Sequence, residues 1–329
     1  MPVGIDVSKD HLDVAVQAED KPVAQAQFAN TPEGWRKLHH YVQKRAGKGA
    51  AVCLEATGSY GEAVAQYLYE AGYAVSVVNP ARIKAYAASQ LQRNKTDKLD
   101  AALIADFCRT QSPPLWTPPD PAWRELRTLM RHLDDLESDQ QRQANRLHAL
   151  GYSAAAAPTV EAHLKQQLDL LEQQIEQVKA QIQDHIDQHP DLKRQRDLLL
   201  SVKGIGRLTA ARLLAEVRTI TAFSNVRQLV AYAGLNPRQR QSGSSVRGQS
   251  HISKTGQASI RAALYLPAVV AKRHNPILRA YAERLTEHGL CKMQVVVALM
   301  RKLLHLVYGI LKSGQPFDAH YLEHRLSTP

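Results

Sequence analysis

Cysteine is scarce in this sequence: Cys53, Cys108 and Cys291 are the only three in 329 residues. They are too few and too scattered for a disulfide framework, and no pair has zinc-ligand spacing. Aromatic residues are also few, at 6%, so the core must be built mostly from Leu, Val, Ala and Ile. Long apolar runs are missing. Stretches such as LYLPAVVA and VVVALM fall far short of the roughly 20 residues that span a bilayer. The first ten residues already carry charge, unlike a secretory signal. These absences exclude secretion and membrane transport as first readings and point to a reducing compartment such as the cytoplasm. What remains, 44% hydrophobic and 22% charged, is a globular composition. The length fits two or three domains at roughly 100–200 residues each.

Positive charge is plentiful and one-sided. Net charge is +11, from 42 Lys+Arg against 31 Asp+Glu. Residues 201–329 hold 19 of the basic and only 5 of the acidic residues, leaving 23 against 26 in the first 200. A basic field confined to one part of a chain points to a polyanionic partner, most often nucleic acid.

Three regions follow from pattern. Residues 1–112 read as α/β. Val3, Ile5 and Val7 alternate with Gly4 and Asp6, and Leu12, Val14 and Val16 alternate again as a hairpin partner. A third strand fits 22–28 and a helix 32–45. Strands at 50–56 and 73–79 then alternate with a helix after a Ser59–Glu62 capping box, a helix with Pro80 at N1, and a helix from Asp97 to Cys108. That order predicts a mixed sheet with helices on its faces. The proline-dense segment 112–123 forbids a helix and marks a boundary. Residues 122–195 read as helical. Leu126, Leu129, Leu133 and Leu136 form one seam, continued by Leu147 and Leu150. After the Ala-rich stretch 153–160, Leu164, Leu168, Leu171, Ile175, Val178 and Ile182 form a heptad seam. Two readings stand: a helical hairpin closing on itself, or a coiled coil joining protomers. His185 and His189 read as a solvated helix end. Residues 196–329 are basic and mostly helical, with one Gly/Ser-rich interruption at 241–251.

Four acids in the first region stand out. Asp6 lies mid-strand, on the face opposite Val3, Ile5 and Val7. Glu55 ends its strand opposite Val52 and Leu54. Asp97 and Asp100 share one face of a helix start. Converging at the edge of one sheet, such carboxylates would repel one another and take up protons. Mg2+, a hard cation that takes carboxylate oxygens and leaves positions for phosphate, resolves the repulsion and supports phosphoryl transfer. A carboxylate in the first helical turn also has a metal-free role against the helix dipole. Asp10 and Asp13 read as surface residues.

In the basic region, SVKGIGRLTAARLLAEV (201–217) places Gly204 and Gly206 between two helices, flanked by Lys203 and Arg207. It resembles a helix-hairpin-helix motif, whose turn N–H groups meet a DNA phosphate and read no sequence; a packing corner is the plainer alternative. The segment 234–256 surrounds Ser242, Ser244 and Ser245 with Arg238, Arg240, Arg247 and Lys254. It has no Gly-x-Ser-x-Gly elbow. Arginines suit the charge of a phosphodiester under attack, yet by composition alone this is a phosphate-clamping loop. Lys95 is a further candidate for nucleic-acid contact.

Taken together, GIDVSKDHLDVAV, CLEATGSYGE, NPARIKAYA, RNKTDKLDAALIADF, SVKGIGRLTAARLLAEV, GLNPRQRQSGSSVRG and ISKTGQASIRAALYLPA resemble the DEDD insertion-sequence transposases, the bridge-RNA-guided recombinases. The resemblance runs over nearly the whole chain; the Ala-rich stretch 153–160 is not anchored by it. It implies a RuvC-like domain of RNase H fold over 1–112, a helical coiled-coil segment over 113–195 and a mainly helical transposase domain over 196–329. It implies Asp6, Glu55, Asp97 and Asp100 as the Mg2+-holding acids and Ser242 as a nucleophile that forms a phosphoserine bond to DNA, with Ser244 and Ser245 as fallbacks. It further implies donor and target DNA, a structured noncoding guide RNA that supplies sequence specificity, and a tetramer in which one protomer's acids meet another's serine. That last point favours the coiled-coil reading of the heptad seam.

Without the resemblance, the residues reach only a magnesium-dependent enzyme acting on nucleic acid. A junction nuclease using water would need the acids but no serine. A nonenzymatic architectural protein would show no magnesium dependence. An actin-like ATPase is disfavoured, because no P-loop is present.

Overall fold

The computed structural model describes all residues except 18–22, 57, 91–96, 154–156, 218–219, 239–240, 243–245, 248–250 and 319–329; the side chains of 97–99, 221, 238, 241–242, 246–247 and 251 are also outside the description. The chain divides into two compact units, 1–118 and 119–329.

The first unit holds β1 (Val3–Val7), β2 (His11–Val16), β3 (Ala24–Ala29), α1 (Pro32–Ala46), β4 (Ala51–Glu55), α2 (Glu62–Glu70), β5 (Ala74–Val78), α3 (Pro80–Ser89) and α4 (Asp97–Gln111). The five strands form one sheet in the order β3-β2-β1-β4-β5. The first three are antiparallel, and β1, β4 and β5 are parallel. The expected mixed sheet is therefore present. Its two faces differ because alternate residues along each strand point to opposite sides. Val3, Ile5, Val7, Val52 and Leu54 pack with Leu38 and Val42 of α1 and Val64 and Leu68 of α2. The opposite face is lined by small residues, and α4 lies on it: Ala15 packs with Ala101 and Ala105, and Cys53 with Ile104 and Phe107.

Local signals explain the helix starts, with one correction. Asn79 caps α3, its Oδ1 accepting from Ala81 N at 2.8 Å, with Pro80 in the first turn. Thr31 caps α1 in the same way. The Ser59–Glu62 capping box does not form as expected: α2 begins at Glu62 behind Gly61, with no side-chain cap. The Ser59 carbonyl accepts from Glu62 N.

The second unit is almost all helix: α5 (Pro121–Leu150), α6 (Pro158–Gln188), α7 (Pro190–Leu200), α8 (Arg207–Val217), α9 (Val226–Tyr232), then short strands β6 (Pro237–Arg238), β7 (Gln241–Ser242), β8 (Val246–Arg247) and β9 (His251–Ile252), then α10 (Ala258–His274), α11 (Pro276–Glu287) and α12 (Lys292–Ser313). α5 and α6 pack as a hairpin on the predicted seam. Leu126, Leu133, Leu136, Ile175, Val178 and Ile182 are buried in one cluster that runs on through α8, α10 and α12. Arg212 of α8 forms an ion pair with Asp134 of α5.

Two expectations change in this unit. His185 is not at a solvated end: it is 7% exposed, with Nε2 2.8 Å from Ala122 O. It pins α6 to the start of α5. α12 is also long and apolar enough to cross a membrane by length and composition, which short apolar runs did not reveal. Its buried residues, among them Val295, Leu299, Leu303, Leu304 and Val307, belong to the core of the unit.

Candidate active site

The acids are placed by strand register. β1 and β4 pair in parallel with Ile5 opposite Leu54. One residue further along both strands come Asp6 and Glu55, at the carboxyl ends of two central neighbours rather than on an edge strand. Both are half-buried, and they leave their strands on the small-residue face.

Gly4 fixes how α4 crosses that face. A Cβ on Gly4 would lie 2.2 Å from Ala105 N and 2.3 Å from Ala101 O, so only glycine lets the helix come this close. The direction of α4 is set at its far end. Asp106 accepts from Gln17 Nε2 at 3.4 Å, and Gln17 lies next to the start of β1, its N–H donating to Pro2 O. The amino end of α4 therefore points toward the carboxyl end of β1, where Asp6 sits. Asp100, half-buried, immediately precedes Ala101 on this helix. Asp97 is its first residue, and the Asp97 side chain lies outside the described residues, as does all of Lys95.

The anchor at the far end is strong. Burial pushes the Asp106 carboxyl up, but Tyr86 Oη at 2.5 Å, Arg109 at 2.7 Å and Gln17 outweigh it and hold the group below the ordinary carboxylate range. The Tyr86 hydroxyl is raised in turn, chiefly by this hydrogen bond.

A fifth carboxylate belongs to this face. Asp13 is 7% exposed and pairs directly across from Asp6 in the hairpin. It was expected at the surface. Instead its two oxygens accept from Gln27 Nε2 at 3.1 and 3.2 Å. The signal was in the sequence: with Leu12, Val14 and Val16 on one face, Asp13 and Ala15 must take the other, beside Asp6 and Gly4. Asp10 is exposed as expected.

Asn30 ties down the loops that follow both acid-bearing strands. Its Nδ2 donates to Ser8 O at 3.0 Å, just after β1, and to Tyr60 O at 3.1 Å, in the segment after β4. Trp35 Nε1 donates to Asn30 Oδ1 at 2.9 Å and orients the amide. Pattern reading had not singled it out, because nothing local marks a residue that bridges two distant loops.

The donor set, carboxylate oxygens only, suits a hard divalent cation. Among the described residues no group of three or more His, Cys, Asp or Glu closes around an ion; the Asp97 carboxylate, expected to complete the set, lies outside them.

In the second unit, Gly204 and Gly206 do form the turn between α7 and α8, and they differ. Gly204 has φ 111°, and a Cβ there would meet Ala271 Cβ at 2.9 Å and Pro267 O at 3.0 Å, so it is a packing corner against α10. Gly206 faces open space. Lys203, Gly206 and Arg207 are all exposed on one turn.

Ser242 was expected in a loop, but its backbone forms a short strand. It pairs with Val246 in β7–β8, and β6 pairs with β9. Lys254 follows, exposed and with φ 53°. The side chains of Arg238, Ser242 and Arg247, and the whole of Arg240, Ser244 and Ser245, are outside the described residues.

A mixed sheet bearing carboxylates, followed by a basic helical unit, defines a protein built for phosphate chemistry on nucleic acid. Comparison with known proteins narrows this. Residues 3–150 match the DEDD transposase model of the IS110 type, and residues 196–283 match the Transposase IS116/IS110/IS902 family. The chain is 32% identical to the pilin gene-inverting protein of Moraxella bovis over 323 residues, covering 96% of this chain and 97% of that one. The counterpart from Moraxella lacunata matches equally, at 32% over 323 residues. An uncharacterized 43.6 kDa protein of insertion element IS110 from Streptomyces coelicolor is 29% identical over 156 residues, 47% of this chain and 37% of that one. The chain belongs to the IS110 family of DEDD transposases. It is an enzyme that breaks and rejoins DNA strands.

Proposed function

We propose that this transposase joins donor and target DNA by attack of the Ser242 hydroxyl on a DNA phosphate, with Asp6, Glu55, Asp97 and Asp100 as the holders of Mg2+. The observation that carries the reading is the placement of Asp6 and Glu55 side by side at the ends of β1 and β4, facing the helix that brings Asp97 and Asp100. The sheet order is compatible with a RuvC-like RNase H fold.

The serine oxygen bonds to phosphorus as the bond to the 3′ oxygen breaks, and the proton lost from serine is balanced by the one gained by the 3′-hydroxyl. Mg2+, when bound, supplies Lewis-acid stabilisation of charge on the phosphate and the leaving oxygen. Asp6 and Glu55 hold fixed positions because the sheet is rigid there, and Asn30 steadies the loops beyond them. Arg238, Arg240 and Arg247 flank the serine in sequence and serve the negative charge of the reacting phosphate. Reversal, with a 3′-hydroxyl from the other DNA, gives strand exchange.

Lys203, Gly204, Gly206 and Arg207 form a helix-hairpin-helix-like contact to the DNA backbone, Gly206 with its open N-terminal turn and Gly204 by shaping it. Lys95 and Lys254 add further phosphate contacts. On the resemblance, a structured noncoding RNA pairs with both DNAs, and the enzyme works as a tetramer, a dimer of dimers, in the cytoplasm.

The test is an SDS-resistant adduct assay with Mg2+, donor and target DNA and co-expressed flanking element DNA. Wild type should give a covalent protein–DNA band that Ser242→Ala loses. Cleavage without an adduct, equal in both proteins, would instead establish a nuclease that uses water.

A further inference from the structure

A groove of about 920 Å3 lies in the second unit between α11, α12 and the root of the serine-bearing strands. Pro237 and Ile252 line it, and they are the paired residues of β6 and β9 from which the Ser242 segment extends. Its lining is of two kinds. Part of it is cationic: Lys254, Arg301 and Lys302. Among the described residues none of the three has a carboxylate partner, and no Asp or Glu lines the groove. Part is apolar, with Leu290 and Met293, the latter 56% exposed. Tyr281 also lines it: the Lys302 ammonium sits 5.2 Å from its ring centroid, so the lysine is held in place before any ligand arrives.

Two further features mark this as a binding place. His305 lines the groove, and its buried Nε2 has no hydrogen-bond partner among the described residues; buried polar atoms of this kind are ordinarily satisfied. Lys254 holds a left-handed backbone at φ 53°, a conformation that costs a non-glycine residue energy and collects at ligand clamps.

Cations alone would serve a duplex backbone. An apolar wall beside them serves a base face, which is available only when the base is unpaired. We propose that this groove binds an unpaired stretch of the DNA strand next to the phosphate attacked by Ser242, with its phosphates on Lys254, Arg301 and Lys302 and a base against Leu290 and Met293. The location of the occupant rests on the serine reading; the groove's preference for single-stranded DNA does not.

The test uses the full chain, a fluorescein-labelled 12-nucleotide single-stranded DNA, its duplex, and an RNA of the same sequence, followed by anisotropy at fixed salt. Met293→Glu alters an exposed position and should leave the fold intact; Lys165→Ala, which removes an exposed cation on α6, serves as a control. Single-strand DNA binding should weaken about tenfold in Met293→Glu and Lys302→Ala, duplex binding should change less than about twofold, and Lys165→Ala should bind like wild type. Equal weakening on single strand and duplex, or no weakening on either, would overturn the groove. Loss confined to the RNA would overturn its assignment to DNA. Binding loss in Met293→Glu together with a serine-independent cleavage reaction would leave the groove standing and remove only the Ser242 reading.

Discussion

The two units handle charge in opposite ways. Residues 1–118 carry 13 basic and 12 acidic residues, nearly balanced, yet they bring Asp6, Asp13 and Glu55 together on one face of a sheet. Residues 119–329 carry 29 basic against 19 acidic, and Lys203, Arg207, Lys254 and Lys302 stand exposed on turns and helix surfaces. A carboxylate that must meet a metal needs a position fixed to a fraction of an ångström, and a sheet packed on both faces supplies it. A cation that must meet a phosphate backbone needs only reach and a common field. The difference teaches where mutations should hurt: backbone geometry in the first unit, surface charge in the second.

The sharpest way to break that contrast is Gly4→Val. The clash with α4 is against backbone, which cannot swing aside. The first unit should lose at least about 3 kcal/mol of stability, seen as early unfolding by urea with the second unit still folded. If Gly4→Val unfolds at wild-type urea, α4 does not lie on β1 as described.

The turn before α8 sharpens the comparison within one motif. Gly204→Ala should cost about 1–3 kcal/mol, because it combines a positive φ with a contact at 2.9 Å. Gly206→Ala should cost little stability, within about 0.5 kcal/mol, but weaken duplex binding. Thermal unfolding and salt-dependent DNA titration of the two variants should therefore rank them in opposite orders.

Asn30→Ala removes three side-chain hydrogen bonds without touching an acid. A stability loss of about 1–2 kcal/mol is expected, with the Mg2+ concentration for half-maximal cleavage rising about fivefold or more, a displacement equivalent to about 1 kcal/mol. A stability loss with an unmoved Mg2+ curve would make Asn30 purely structural.

The smallest effect concerns pH. Asp106 is held below its ordinary value of 3.8 in the folded chain. Its stabilising contribution is therefore fully present above the unfolded pKa and is lost as pH falls through the lower folded value. The stability gap between wild type and Asp106→Asn should narrow on acidification below about pH 4; a gap that widens would contradict the hydrogen-bonding arrangement at the end of α4.

Much of this arrangement was legible before the structure. Alternation of Val3, Ile5 and Val7 gave the strand and put Asp6 on the other face, and Leu126 through Ile182 marked the helical seam that packs α5 on α6. Asp13 was misread because its burial depends on pairing with β1 and on an amide from β3, neither of which is local. His185 was misread for the same reason: its partner, Ala122 O, lies on another helix. The apolar length of α12 hid behind interspersed Lys, Arg and His, which the short-run reading treated as breaks. Periodicity reports which face a residue takes; it does not report what covers that face.

The central claim is that the acids of the first unit and the serine of the second act in one reaction. Its most direct test is the yield of covalent protein–DNA adduct from Asp6→Asn, beside wild type and Ser242→Ala, all with Mg2+ and with folding checked by circular dichroism. Asp6→Asn should lower the yield about 10²-fold or more, close to the Ser242→Ala background. Adduct at the wild-type level from Asp6→Asn would contradict the account and separate the acids from the serine chemistry.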